Sequence, residues 1–319
     1  MTRLRCAILD DYINLTLKIA DWSKIADRVD VTVFNQPFAS PEAAASALKD
    51  FEIICAMRER TPFPQALFAA LPKLKLLITS GMRNAAIDME AAKDHKVVLC
   101  GTQCGRDPTA PLTMGLILEL TRNIGRENAR MHAGEPLQKF VGMEIEGRTL
   151  GVLGLGKLGG KVSKLAQAFG MNVIAWSPNL TPERCKEVGV GYVSKEELFS
   201  TADIVTIHVV LSQRSRGLVG PEDLARMKPS AYIVNTARGP IIDEAALLQT
   251  LQQGKIAGAG IDVYSVEPLP VDSPFRKLDN VVLTPHLGYV TGDSFRNHYS
   301  QMVEGIDAWF KGEPKQRLA

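Results

Sequence analysis

A glycine-rich stretch near the middle of the chain limits the fold more than any other feature of the sequence. Gly154, Gly156 and Gly159 form a G-x-G-x-x-G motif between an apolar run at 149–153 and a helical pattern at 158–169. The first glycine permits a tight turn, the second lets the backbone approach a pyrophosphate, and the third lets helix and strand pack closely. Strand, turn and helix in this order predict a dinucleotide-binding unit, because N–H groups at the helix start attract phosphates. The alternative is a glycine-rich turn that binds no ligand.

Short β-rich runs alternate with helical patterns on both sides of this motif. Before it, strands are predicted at 5–9, 31–34, 52–56, 74–79 and 97–99, with helices at 43–49 and 64–70. After it, further strands are predicted at 171–176, 203–209, 231–237, 258–264 and 280–284. Such alternation predicts an α/β fold with two doubly wound parallel-sheet domains, the second sheet having six strands.

The turn-rich segment 101–108 is interpreted as a hinge. An apolar helical pattern at 110–124 follows it, and this helix either forms a dimer surface or is buried in its own domain. A final helical pattern at 295–310 is expected to cross back to the first domain. The predicted division is therefore 1–102 with 291–319 as a substrate domain, and 103–290 as a cofactor domain that carries a dimerisation insert.

Polar residues stand where the later predicted strands end. Arg238, Glu267 and His286 follow three of these strands, at the sheet edge where open α/β sheets bind ligands. Hydride transfer between a nicotinamide and a hydroxy acid needs an acid–base group, a group that tunes it, and a cation for the substrate carboxylate. A histidine titrates near neutral pH, a carboxylate stabilises its imidazolium, and an arginine pairs with a carboxylate. For each residue alone a capping, turn or surface role is the better interpretation, whereas together they favour an active site.

Composition excludes several classes of protein. Lys and Arg total 37 against 35 Asp and Glu, so no basic field favours nucleic acid or an anionic membrane. No apolar run is long enough to span a bilayer, and the early acidic residues predict a first strand rather than a signal peptide. Five cysteines without a C-x-x-C pair predict reduced thiols in a cytoplasmic protein. Cys100 and Cys104 lack a second ligand pair, so no metal site is predicted.

Four stretches together resemble the D-isomer-specific 2-hydroxyacid dehydrogenases. They lie at 147–156, 235–240, 261–268 and 284–288, and the similarity extends over nearly the whole chain. The resemblance implies a substrate domain built from both ends of the chain, an inserted cofactor domain, and a homodimer formed through the cofactor domains. No regulatory extension is expected after the last helix. The short form is therefore expected, similar to hydroxypyruvate or glyoxylate reductases or to phosphoglycerate dehydrogenases without a regulatory domain.

The resemblance also implies roles for individual residues. It assigns substrate and carbonyl orientation to Arg238, tuning of the histidine to Glu267, acid–base catalysis to His286, and the nicotinamide carboxamide to Asp262. His208 and Val209 fall where the family's chain passes the cofactor, and Arg58 with the 81–84 loop aligns with contacts to the substrate carboxylate. The candidate substrate contacts are Arg58, Met82 and Arg83. The candidate cofactor contacts are Gly154, Gly156, Lys157, Leu158, Gly159, Ser177, Asn179, His208, Val209, Thr236, Ala237 and Asp262.

Two departures from the family's pattern affect this interpretation. The family's usual Gly-x-Gly-x-Asp loop is replaced here by a loop that begins Gly81-Met82-Arg83. Arg83 either favours a substrate with a second anionic group or is a surface residue. Pro111 stands where the family commonly has glutamate, so no role is carried over to that position.

The cofactor is predicted to be NAD or NADP, with a slight preference for NADP. An acidic residue that binds the ribose hydroxyls is expected about 20 residues after the first glycine. Ser177 occupies that place. Loss of the carboxylate removes both a ribose contact and repulsion of a 2′-phosphate. Ser177, Asn179 and Thr181 are candidate donors to that phosphate, and Arg184 either reaches it or belongs only to the next helix.

Three functions remain open at this stage. The favoured one is an enzyme that interconverts a small 2-keto acid and a D-2-hydroxy acid. A nicotinamide-nucleotide-sensing binding protein, resembling the family's corepressor relatives, is compatible with the same residues. A methyltransferase that uses the glycine-rich turn for another nucleoside ranks last, because it has no use for the motifs around Glu267 and His286.

Overall fold

Two units of α/β structure make up residues 2–319, which a computed structural model of the chain describes. One unit runs to Arg106 and includes Val290–Ala319, and the other is Asp107–Tyr289. The boundaries predicted from the sequence fall at 102/103 and 290/291, and the assignment of the units to substrate and cofactor stays a prediction. We call them the discontinuous unit and the central unit.

The strands are β1 (Leu4–Ile8), β2 (Val29–Val33), β3 (Ile53–Ala56), β4 (Leu76–Thr79), β5 (Val98–Gly101), β6 (Thr149–Leu153), β7 (Asn172–Trp176), β8 (Gly191–Tyr192), β9 (Ile204–Ile207), β10 (Tyr232–Asn235), β11 (Gly258–Ile261) and β12 (Val281–Leu283). The α-helices are α1 (Thr16–Ile19), α2 (Pro41–Leu48), α3 (Gln65–Ala70), α4 (Met89–Asp94), α5 (Thr109–Arg122), α6 (Ile124–His132), α7 (Lys157–Ala168), α8 (Pro182–Val188), α9 (Lys195–Thr201), α10 (Pro221–Arg226), α11 (Glu244–Gln252) and α12 (Gly292–Phe310). Short 3₁₀ turns lie at Trp22–Ile25, Gly239–Ile241 and Pro274–Lys277.

The discontinuous unit contains a parallel sheet in the order β2-β1-β3-β4-β5. Strands β3 and β4 are buried throughout, which explains their continuous apolar sequence. Phe51, Phe63 and Phe68 belong to the core between this sheet and its helices. At the outer edge of the sheet, Leu318 donates its N–H to the carbonyl of Leu99 at 2.8 Å, so the end of the chain covers strand β5.

The central unit contains a parallel sheet in the order β12-β11-β10-β9-β6-β7-β8. Counted from β6, this is the doubly wound order of dinucleotide-binding sheets with one further strand at the β12 edge. The predicted α/β class with two doubly wound sheets is confirmed. The predicted count of six strands is wrong, because β8 adds a two-residue strand, Gly191–Tyr192, whose exposed residues carry no apolar alternation.

The apolar helix predicted at 110–124 is interrupted. Asn123 adopts a left-handed backbone (φ 53°), so α5 ends at Arg122 and α6 begins at Ile124. Helix α5 buries Met114, Ile117 and Leu120 inside its own unit, so the buried alternative is correct for this helix. Helix α6 buries no residue within the chain.

Local sequence fixes the glycine-rich turn between β6 and α7. Gly154 has a φ of 105°, which a side chain would oppose. A Cβ at Gly159 would collide with the carbonyl oxygen of Gly154, whereas a Cβ at Gly156 or Gly160 would meet nothing within 4 Å. The third glycine of the motif is therefore a packing requirement, and the second leaves open space at the start of the helix.

None of the helices within residues 2–319 combines the length and the apolar sequence that crossing a membrane requires. The five cysteines are all free thiols.

Gly159→Ala tests the packing at the turn, with Gly160→Ala as its neighbour on the same helix. We expect Gly159→Ala to lower the free energy of unfolding by about 1–3 kcal/mol, because the added methyl group collides with fixed backbone. Gly160→Ala is expected to change it by less than about 1 kcal/mol and to be stabilising, because alanine favours helix and the space is open. Urea unfolding followed by circular dichroism measures both, and equal losses would contradict the collision.

Candidate active site

Polar side chains gather where β10, β11 and β12 end. These three strands are parallel neighbours, so their carboxyl ends share one edge of the central sheet. Arg238 lies three residues after β10, Asp262 directly after β11, and His286 three residues after β12. Open α/β sheets bind ligands at this edge.

His286 and Glu267 form a hydrogen-bonded pair at this edge. The imidazole Nδ1 donates to Glu267 Oε2 at 2.6 Å, and the backbone N–H of Tyr264 donates to the other carboxylate oxygen at 2.9 Å. Glu267 is thus held from both sides and fixes the orientation of the imidazole ring. Since Nδ1 is committed, Nε2 is the nitrogen left for a reacting group, and it makes no hydrogen bond to another residue in 2–319.

Asp262 holds the loop that carries His286. Its carboxylate has no exposed surface and accepts from Thr284 Oγ1 at 2.5 Å, from the Leu287 N–H at 2.7 Å and from the Gly288 N–H at 2.9 Å. The His286 N–H donates to the Asp262 carbonyl at 2.9 Å. Burial raises the pKa of the Asp262 carboxyl, and the loop donors oppose that rise. The Asp262 carboxylate thus bonds to the loop after β12, and its predicted contact with the nicotinamide carboxamide stays a prediction.

Arg238 is half-buried at a turn that its neighbours fix. Its Nη1 donates to the carbonyl of Ala237 at 2.7 Å. The Asn235 amide accepts from the Ala237 N–H and donates to the Arg238 carbonyl, both at 3.0 Å. A Cβ at Gly239 would collide with the backbone of Tyr264, so the chain passes close to the Glu267 loop just after Arg238.

The predicted cofactor contacts of the glycine-rich turn lie beside the end of β9. An ideal Cβ on Gly154 would lie 2.9 Å from the Val209 nitrogen. The ring of His208 makes a 3.0 Å contact with Thr206 Oγ1 through Nε2, while its Nδ1 is buried and has no hydrogen-bond partner among residues 2–319. Burial lowers the pKa of His208 to about 3, so its ring is neutral at physiological pH.

Other predicted cofactor contacts have partners of their own. Lys157, at the first turn of α7, lies 3.3 Å from Asp107 and is otherwise exposed, whereas the neighbouring Leu158 is half-buried. Thr236 Oγ1 lies 3.0 Å from Thr113 Oγ1, and Ala237 is buried.

The segment after β7 has no carboxylate near the end of the strand. Ser177 is half-buried and Asn179 is exposed. Thr181 Oγ1 accepts the Arg184 N–H at 3.3 Å and caps α8. The Arg184 guanidinium pairs with Glu187 at 2.8 Å along the same helix. Arg184 therefore has a partner on its own helix, and its contact with a 2′-phosphate stays a prediction.

The three predicted substrate contacts lie in the discontinuous unit, after β3 and β4. Arg58 has a left-handed backbone (φ 54°); its N–H donates to Ser80 Oγ at 2.8 Å and its carbonyl accepts from Asn84 Nδ2 at 2.5 Å. Met82 and Arg83 are exposed, and their N–H groups donate to no other residue in the described part of the chain.

Two residues that sequence reasoning missed pack beneath this loop. Thr102 Oγ1 accepts the Gly81 N–H at 2.9 Å and lies 2.6 Å from the Nδ1 of buried His298. Only the place of His298 on the apolar face of the last helix could have drawn attention to it. Within residues 2–319, no group of three or more His, Cys, Asp or Glu side chains is arranged to hold a metal ion.

Comparison with known proteins shows which family this chain resembles. The family model described as "D-isomer specific 2-hydroxyacid dehydrogenase, NAD binding domain" matches residues 114–288. A D-3-phosphoglycerate dehydrogenase of Methanocaldococcus jannaschii is 38% identical over 275 residues, which is 85% of this chain and 52% of that protein. A hydroxypyruvate reductase of Thermotoga maritima is 38% identical over 258 residues, which is 79% of this chain and 83% of that one.

Solved structures extend the likeness to the whole chain. A phosphoglycerate oxidoreductase of Vibrio cholerae superposes with a TM-score of 0.92 at 32% identity, over 97% of this chain and 99% of that one. The chain spans about half the length of the first curated relatives it matches, which are phosphoglycerate dehydrogenases. Sequence, fold and matched relatives therefore agree, and the chain belongs to the D-isomer-specific 2-hydroxyacid dehydrogenase family.

Proposed function

We propose that this chain is an NAD(P)-dependent oxidoreductase that interconverts a small 2-keto acid and a D-2-hydroxy acid. The observation that carries the proposal is the hydrogen bond between His286 Nδ1 and Glu267, which leaves Nε2 free at the ligand-binding edge of the central sheet. Family membership supports the same chemistry, and relatives named hydroxypyruvate reductase and glyoxylate reductase support the substrate class.

The central unit has features that fit a dinucleotide. Gly156 leaves open space at the start of α7, where a backbone can approach a pyrophosphate and the helix dipole favours negative charge. His208 offers a neutral ring with an unsatisfied buried nitrogen beside Gly154. We assign the phosphates to the turn at Gly154, Gly156, Lys157, Leu158 and Gly159, and further contacts to His208, Val209, Thr236, Ala237 and Asp262. When bound, the nicotinamide supplies or accepts the hydride.

Proton transfer is assigned to His286. In the reducing direction, protonated Nε2 donates to the substrate carbonyl oxygen as that oxygen becomes a hydroxyl. Glu267 stabilises the imidazolium before transfer and keeps Nδ1 protonated afterwards, so the ring stays in one tautomer and orientation. In the opposite direction, neutral Nε2 takes the hydroxyl proton. Asp262 contributes by holding the loop, because each of its bonds to residues 284–288 limits how far the imidazole can move.

The substrate carboxylate requires cations and N–H donors. We assign it to Arg58 and to the N–H groups of Met82 and Arg83, which donate to no other residue in 2–319. Arg238 is assigned to orientation of the substrate and its carbonyl, because its turn is fixed by the Asn235 amide. The side chain of Arg83 is exposed, which is compatible either with a second anionic group on the substrate or with a surface role.

NADP is the slightly favoured cofactor in this proposal. The preference depends on Ser177 and Asn179, which leave the end of β7 without a carboxylate that would repel a 2′-phosphate. We give Thr181 and Arg184 less weight in this assignment, because one caps α8 and the other pairs with Glu187.

A homodimer through the central unit is proposed with α6 and the segment after it as the contact surface. No residue of α6 is buried within its own chain. Met131 on this helix is 63% exposed, and Val141, in the following segment, is 99% exposed. Exposed apolar side chains of this kind would be covered if a second copy of the chain packed against this segment, and their clustering into one patch is part of the proposal.

Substitution of His286 by alanine tests the catalytic assignment. We expect the kcat for 2-keto acid reduction to fall about 100-fold to 10,000-fold, because no group replaces the imidazole as proton donor. The loss of reduced-nicotinamide absorbance, with NADPH and NADH separately against a panel of 2-keto acids, measures turnover. Fluorescence titration measures cofactor affinity, which should stay within about threefold of that of the unaltered protein. His95→Ala, at an exposed histidine in the discontinuous unit, is the matched control. Cofactor binding by the unaltered chain without any turnover would instead favour the nucleotide-sensing protein.

Ser177→Asp tests cofactor preference. A carboxylate at this position would bind ribose hydroxyls and repel a 2′-phosphate, so the ratio of kcat/KM for NADPH to that for NADH should fall about tenfold or more. Ser177→Ala removes the hydroxyl without adding charge and should change the ratio less. An unchanged ratio in the aspartate variant would contradict the assignment of Ser177 to this contact.

Met131→Glu tests the proposed dimer surface. Sedimentation velocity should give the mass of two chains for the unaltered protein and a shift toward one chain for the variant, because a charge at an apolar contact opposes association. Val271→Asp, at an exposed valine outside α6, should leave the mass unchanged. A dimer that tolerates Met131→Glu would place the contact elsewhere.

A further inference from the structure

A histidine outside the proposed catalytic set is buried beneath the substrate loop. His298 lies on α12 among buried apolar residues, with 2% of its surface exposed. Its Nδ1 is 2.6 Å from Thr102 Oγ1, which follows β5. Both residues belong to the discontinuous unit, so this contact joins α12 to the residue that follows the edge strand β5.

The contact has a defined direction. Thr102 Oγ1 already accepts the Gly81 N–H, so the proton of its hydroxyl points to its other partner, the Nδ1 of His298. Burial and the nearby Arg58 cation lower the pKa of His298 to about 4. At neutral pH the ring is therefore uncharged, and Nδ1 can accept the hydroxyl proton.

The far end of this chain of bonds is the loop assigned to the substrate carboxylate. Thr102 also donates its N–H to the Gly81 carbonyl at 3.3 Å. Both the N–H and the carbonyl of Gly81 are therefore hydrogen-bonded to Thr102. Gly81 has a φ of 94°, and an ideal Cβ there would lie 2.6 Å from Arg58 Nη1. The Arg58 guanidinium consequently packs against the Gly81 backbone that Thr102 holds. Met82 and Arg83, whose N–H groups are assigned to the substrate, follow Gly81 directly in the chain.

We propose that His298 is a positioning residue for substrate binding, acting through the Thr102 hydroxyl to fix the Gly81 peptide and the Arg58 guanidinium that rests on it. The inference depends on the proposed function in one respect, which is that this loop binds the substrate carboxylate. A neutral acceptor suits the task, since a protonated imidazole would compete with Gly81 for the Thr102 oxygen and would repel Arg58.

The experiment compares Thr102→Val and His298→Leu with His298→Asn, whose side chain keeps a polar atom near the position of Nδ1. Thr102→Val and His298→Leu should each raise the KM for the keto acid, and the inhibition constant of oxamate, about tenfold, because the fixed N–H groups and guanidinium lose their alignment. The kcat should stay within about threefold, because the groups that move the proton are untouched. His298→Asn should restore KM to within about threefold of the unaltered protein.

Ile306→Val is the matched control, because Ile306 is buried on the same helix and a lost methyl group there affects stability alone. It should lower the melting temperature and leave KM unchanged. Thr102→Val nearly preserves side-chain volume, so the test stands even if His298→Leu fails to fold.

Hydrogen–deuterium exchange of the Gly81 amide is the readout that does not depend on the proposed function. It should accelerate about tenfold or more in Thr102→Val and in His298→Leu, and remain slow in His298→Asn and Ile306→Val. If the unaltered protein reduces no 2-keto acid, the proposed function fails and the exchange rates alone decide the positioning role. Unchanged exchange, or a KM that follows the melting temperature in all four variants, would overturn the proposal.

Discussion

A buried carboxylate holds together the sheet edge at which the candidate active site lies. Asp262 has no exposed surface, and an ionised carboxylate in such a place is unfavourable by several kcal/mol unless donors surround it. The loop after β12 supplies a hydroxyl and two N–H groups. To do so, the loop takes a path that includes a left-handed backbone at His286 (φ 56°). The position of the imidazole thus follows from the need to satisfy one carboxylate.

Two carboxylates at the same edge differ in environment and therefore in use. Asp262 is enclosed by loop donors, whereas Glu267 is partly exposed and faces the imidazole. Asp262 is suited to holding the backbone of the loop after β12. Glu267 is suited to stabilising a positive charge on the His286 imidazole in the proposed proton transfer. The discontinuous unit uses a related device, since a buried side chain fixes a loop after a parallel strand there too, with a hydroxyl and an uncharged imidazole in place of a carboxylate.

Sequence reasoning can identify groups whose chemistry follows from spacing along the chain, and the roles of those groups stay predictions. The glycines at 154, 156 and 159 and the polar residues at the ends of β10 to β12 could be found because each belongs to a strand and the turn after it. Strand β8 was missed because two exposed residues carry no periodic signal, and the end of α5 was missed because a left-handed Asn123 leaves the apolar pattern intact. The contact between Thr102 and His298 spans 196 positions, so only the folded chain brings them together.

The covering of strand β5 by the end of the chain has a consequence for how the protein is made. A ribosome releases residues 1–106 first, then the whole of the central unit, and only then α12 and the segment that pairs with Leu99. Until that segment emerges, β5 has an open hydrogen-bonding edge, and the apolar surface that α12 covers is exposed. The central unit has all of its strands during this interval and can fold without waiting. In a nascent chain that has not reached residue 290, a complete central unit would therefore be joined to an incomplete unit that exposes a strand edge and apolar surface, and such surfaces favour aggregation.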